Sequence, residues 1–72
     1  MEKTIINTIK FNNDEGVKID LIHNKTETSI HTSICITDKT TESYVTVNVD
    51  VDDIENMIFK LQEILEEVKK DR

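Results

Sequence analysis

The sequence predicts an α+β domain: a four-stranded antiparallel meander sheet with one C-terminal helix packed on one face, in the order ββββα. Three observations predict it. Four segments rich in Ile, Val and Thr alternate apolar with polar residues at period two, as half-buried strands do. Short polar runs at residues 12–16, 24–27 and 38–41 separate them, each short enough to join antiparallel neighbours. Over residues 50–70 the period changes. Ile54, Met57, Ile58, Leu61, Ile64, Leu65 and Val68 recur at three- and four-residue spacing and form one apolar stripe of a helix.

Residues 3–12 read as the first strand. Ile5, Ile9 and Phe11 fall on one side with Asn7 between them; Thr4, Thr8 and Lys10 fall on the other, where Ile6 is the exception. The run Asn12-Asn13-Asp14-Glu15-Gly16 holds the only glycine in the chain, and a reversal ending in a positive-φ glycine is expected there. Residues 17–24 follow as the second strand, with Val17, Ile19, Leu21 and His23 on the apolar side and Ile22 on the polar one. The third strand, residues 28–37, is the most regular. Ile30, Thr32, Ile34 and Ile36 share one face, and Ser29, His31, Ser33, Cys35 and Thr37 the other. In the fourth, residues 43–51, Val45, Val47, Val49 and Val51 point inward and Tyr44, Thr46 and Asn48 outward.

Two starts suit the helix. With Asp50 as N-cap, Val49 and Ile54 occupy the positions of a hydrophobic staple; with Asp52 as N-cap, Glu55 completes a capping box. The acids Asp50, Asp52, Asp53 and Glu55 lie where the helix dipole favours negative charge, and Lys69, Lys70 and Arg72 lie where it favours positive charge. A calcium loop would need a glycine and a bidentate glutamate at fixed offsets, and neither is present.

Length bounds the rest. Seventy-two residues form a single domain, residues 1–72, close to the lower size limit for a self-sufficient core. Domains this small are usually stapled by disulfides, a metal or a second subunit. One cysteine cannot close an internal disulfide, and one Cys with two scattered His cannot build a structural zinc site. A homodimer is therefore expected, with no metal or other cofactor. No stretch approaches 18 apolar residues, and the N-terminus lacks a secretory pattern, so a cytoplasmic protein without membrane association is expected. Asn24-Lys25-Thr26 is then a chance match to a glycosylation acceptor.

No catalytic constellation is legible, and no enzymatic activity is expected. One glycine excludes nucleophile elbows, phosphate-cradling loops and dinucleotide fingerprints. His23 and His31 have opposite parity. His31 and Cys35 share a face but stand about 13 Å apart on one strand, too far for a Cys–His pair within one chain.

What remains is surface. The outer sheet face carries few charges for a chain that is 33% charged. Its residues Ile6, Ile22, His31, Cys35 and Tyr44 are candidate interface residues, since neutral and aromatic groups suit a surface covered by another protein. Phe59 is the sixth candidate, a large aromatic on the polar flank of the helix beside Glu55, Gln62 and Glu66. These features suggest a small acidic protein-binding module, homodimeric, acting as adaptor or inhibitor. Abundant Ile, Asn, Lys and Thr without Pro or Trp suit a bacterial or phage source.

The alternative is a phage-type inhibitor that occupies a host nucleic-acid-binding or defence protein by acidic surface mimicry. The net charge of −6 divides into seven acids against five bases over residues 1–49, and eight against four over 50–72. That density is low for a phosphate mimic. A further alternative comes from topology: four meander strands followed by one long helix resembles PUR repeats and Whirly-type proteins, a resemblance that implies binding of single-stranded nucleic acid on the sheet. Such binding uses basic and aromatic residues, of which the outer face offers Lys10, Lys18 and Tyr44. Nucleic acid is accordingly not an expected partner.

Overall fold

The structure, a computed structural model, describes residues 2–71. Arg72, named above among the cations at the helix end, lies outside the described residues. The elements are β1 (Lys3–Phe11), β2 (Asp14–Lys25), β3 (Ile30–Asp38), β4 (Ser43–Asn48) and α1 (Val51–Lys70). The strands form one antiparallel sheet in the order β1-β2-β3-β4, so the meander and the ββββα order are as the sequence predicts.

The helix lies differently from the expectation. It does not pack on the sheet: no Cα of α1 comes within 8 Å of a strand Cα. Ile54 is its only half-buried residue among those described, and Leu61 in mid-stripe remains 65% exposed. The connection between sheet and helix is short. Val49 N–H still donates to Thr32 C=O at 2.9 Å, so the ladder runs one residue past β4, and the helix begins at Val51. Only Asp50 is left to redirect the chain, and it is extended, at φ −105° and ψ −176°. Val51, assigned by parity to the strand, is instead the first helical residue.

Asp50 is the N-cap, the first of the two starts considered. Its Oδ1 accepts from Asp53 N–H at 2.9 Å, while Asp53 Oδ2 accepts from Asp50 N–H at 3.1 Å. This reciprocal pair satisfies two of the donors that a helix start leaves open. Asp52 and Asp53 in the first turn and Lys69 and Lys70 in the last both complement the dipole.

Two turns depart from expectation: the second spans residues 26–29 rather than 24–27, because Asn24 and Lys25 still pair with His31 and Ile30, and the first ends before Gly16. Gly16 has no positive φ; it sits inside β2, where Glu15, Gly16 and Val17 bulge opposite the Lys10–Phe11 step, and Asn12 and Asn13 alone make the reversal. Its smallness matters for space. A methyl group there would stand 2.9 Å from Thr40 Cγ2, because the β3–β4 turn folds close enough for Lys39 N–H to donate to Gly16 C=O at 2.8 Å. The positive-φ residue is Glu42, at 54°, in that same turn. Asp38 shapes the turn by accepting at Oδ1 from Thr40 N–H (2.9 Å) and Thr40 Oγ1–H (2.6 Å). These bonds hold its carboxyl below the ordinary value of 3.8. Thr26 organises the β2–β3 turn likewise, accepting from Ser29 N–H at 3.1 Å.

Candidate interaction surface

The register defines what each face of the sheet presents. On one face, Asn7, Leu21, Ile34 and Val47 form a row across all four strands, and Ile9, Ile19, Ile36 and Val45 form the next. Ile5, His23 and Thr32 make a third, which Val49 extends. Phe11 and Val17 close the far end. Charges reach this face only at its rims, as Lys3, Lys25, Asp14 and Asp38.

None of the described residues covers it. Leu21 and Ile36, on the two central strands, are 36% and 39% exposed, and no described residue of the protein is buried. A shallow hollow of about 550 Å³ lies where the helix departs, walled by His23, Ile30, Thr32, Val49 and Ile54. His23 Nδ1 and Thr32 Oγ1 are 2.8 Å apart there, and Asp50, also on its wall, accepts from Asp53 N–H, so each polar side chain of the hollow has a partner within the protein. The stripe of α1 is equally uncovered. Two aliphatic surfaces of matching character thus stand open on one small chain.

The other face holds five of the six candidate interface residues. Ile6 pairs with Ile22 across β1 and β2, and the row continues to Ser33 and Asn48. Cys35 stands between Asp20 and Thr46, half-buried, with its Sγ 3.9 Å from Thr37 Oγ1. His31 lies opposite Asn24, and Tyr44, 76% exposed, opposite Thr37. Ile6, Ile22 and Cys35 therefore cluster, while Tyr44 stands two rows from Ile6. Phe59 is not brought to them: it is on α1, away from the sheet and from the apolar stripe.

Polar groups on this outer face pair with one another. Thr8 Oγ1 donates to Asp20 Oδ1 at 2.6 Å, Thr4 Oγ1 to Asn24 Oδ1 at 3.1 Å, and Lys18 Nζ stands 3.7 Å from Asp20 Oδ2. The outer face is thus a hydrogen-bonded surface that water can wet. The inner face has no such network at its centre. Residue parity alone could not rank the two, because it assigns the inner face to the helix of the same chain.

Two further features bear on function. Register places Lys10, Lys18, Thr37 and Tyr44 in a single row, so the basic and aromatic residues of the outer face are neighbours. Among the described residues, no three His, Cys, Asp or Glu side chains gather where they could hold a metal ion, and no helix is long and apolar enough to cross a membrane. No known protein family, curated protein or solved structure matches the chain.

Proposed function

We propose that the chain is a small non-enzymatic protein-binding module that works as a homodimer, with an adaptor or inhibitor role exercised through the sheet face left free. One observation carries this reading. The chain exposes 6482 Å² of surface, whereas a compact protein of 8.4 kDa exposes about 4,600 Å². The excess, roughly 1,900 Å² per chain, is of the size that obligate dimers bury. It is aliphatic at its centre, as such interfaces are. A second copy removes it from water; solvent does not.

Mass in solution tests the reading. Sedimentation at micromolar concentration should give twice the 8.4 kDa of one chain. A single-chain mass with the helix intact by circular dichroism would overturn it. The outer face, with Ile6, Ile22, His31, Cys35 and Tyr44, and the far side of α1, with Phe59, then remain for a different protein. Capture from a bacterial lysate that is lost on Tyr44→Ala or Phe59→Ala would support that assignment, and capture indifferent to both would count against it.

The row of Lys10, Lys18 and Tyr44 favours a second reading, single-stranded nucleic-acid binding. The net charge of −6 opposes it. Titration of labelled single-stranded DNA at moderate salt separates the two, since saturable binding lost on Lys18→Ala would replace the first reading with the second.

A further inference from the structure

The two exposed apolar surfaces are the stripe of α1 and the inner face of the sheet, and their shapes correspond. A helix of 20 residues is about 30 Å long and 10 Å wide with its side chains. A nine-residue strand such as β3 spans about 30 Å, and four strands cover about 14 Å from first to last. One helix therefore covers one such face. Within a single chain the match cannot be used. Asp50 alone separates the ladder from the helix, and its extended backbone is held by the reciprocal bonds with Asp53. A strand-to-helix connection that reverses direction ordinarily has about two to six free residues.

We propose that two copies exchange helices, each α1 lying across the inner sheet face of its partner, because the hinge at Asp50 is too short for it to fold onto its own. The proposal rests on the homodimer reading and names the surfaces that meet. Other pairings of two copies leave one surface open. Helix against helix would leave both sheet faces in water, and sheet against sheet would leave both stripes there. Exchange covers all four surfaces under one twofold operation, the self-complementary arrangement of closed dimers. It also buries no unpaired charge, since the stripe carries none and the inner face is charged only at its rims. A short hinge between a finished sheet and a terminal helix is the usual setting for such a swap.

Isotope-filtered NMR tests it directly. Uniformly ¹³C-labelled and unlabelled chains are mixed in equal amounts, denatured and refolded together. Cross-peaks are expected between methyl groups of Leu61, Ile64 or Leu65 on one chain and those of Ile19, Ile34 or Ile36 on the other. A protein of two-chain mass whose helix–sheet cross-peaks all arise within one chain, or which has none, overturns the exchange and leaves the homodimer standing. A single-chain mass overturns both. Inserting Gly-Ser-Gly-Ser between Val49 and Asp50, past the last ladder bond, supplies a second readout. The lengthened hinge should convert the dimer to a folded single-chain species with its helix content kept. A dimer that persists with the long hinge overturns the hinge as the cause.

Discussion

Gly16→Ala measures how tightly the β3–β4 turn is built. Two terms of opposite sign compete. The glycine has no positive φ, so alanine fits its backbone, and the loss of freedom in the unfolded chain would stabilise by about 0.4–1 kcal/mol. Against this, the new methyl would stand 2.9 Å from Thr40 Cγ2. Thr40 cannot turn aside freely, because its Oγ1–H and its N–H both donate to Asp38 Oδ1, at 2.6 and 2.9 Å. Overpacking of this kind costs about 1–3 kcal/mol. The clash wins, and a net destabilisation of about 1 kcal/mol is expected. Urea denaturation at one fixed protein concentration reads it, the concentration being held because the proposed association would contribute to stability. Thr40→Ser removes the methyl and keeps the hydroxyl, so in that background Gly16→Ala should be neutral or stabilising. Equal destabilisation in both backgrounds would refute the steric account and return Gly16 to the conformational role that its place beside a turn suggests. A stabilising Gly16→Ala in the unaltered chain would show that Thr40 yields at no cost.

Three further outcomes follow from the geometry. Asp50→Ala removes the N-cap and strands Asp53, and should lower stability by about 1 kcal/mol with loss of helical dichroism, whereas Asp50→Ser, which restores a cap, should recover most of it. The Asp38 carboxyl, held low first by the Thr40 hydroxyl and then by the Thr40 N–H, has a folded pKa below its ordinary 3.8. Its contribution is thus fully present above pH 3.8 and lost as pH falls through the lower folded value; Thr40→Ala should move the carboxyl titration, followed by NMR, back up towards that ordinary value. Leu61→Ala removes a side chain that the proposed dimer would bury twice, and at about 2 kcal/mol per copy should weaken dimerisation by roughly a thousandfold in sedimentation equilibrium. Phe59→Ala, on the other side of the helix, should leave dimerisation unchanged.

Much of the fold was legible because its causes are local. Alternation of Ile, Val and Thr marks every strand, and the spacing from Ile54 to Val68 marks the helix, whatever lies against them. What was hidden depended on a single boundary. Val45, Val47, Val49 and Val51 continue one parity, so the valine pattern runs unbroken from strand into helix. The position of the cap between them decides how much chain is free to turn. Asp50 and Asp52 both make acceptable caps by composition; Asp53 at the third helical position selects Asp50, and the free connection disappears. Gly16 was misread for a related reason. A glycine after Asn-Asn-Asp-Glu suggests a left-handed turn residue, but the crowding that requires it comes from Thr40, 24 positions away and adjacent only through the β2–β3 register. The outer face likewise looked open for lack of Lys and Glu. Its Thr8–Asp20 and Thr4–Asn24 bonds exist only once β1 and β2 are aligned.

The place of β1 at the margin of the sheet has a consequence of its own. A marginal strand leaves every second pair of its backbone N–H and C=O groups without a neighbour, a template on which any extended chain can add. Between Lys3 and Lys10 the strand reads Thr-Ile-Ile-Asn-Thr-Ile, six residues without charge, proline or glycine. That is the composition from which stacked cross-β assemblies grow. The two lysines bracket the segment as gatekeepers do, repelling a second β1 laid alongside in register. Their ammonium groups oppose that stacking by charge alone, whatever the chain binds.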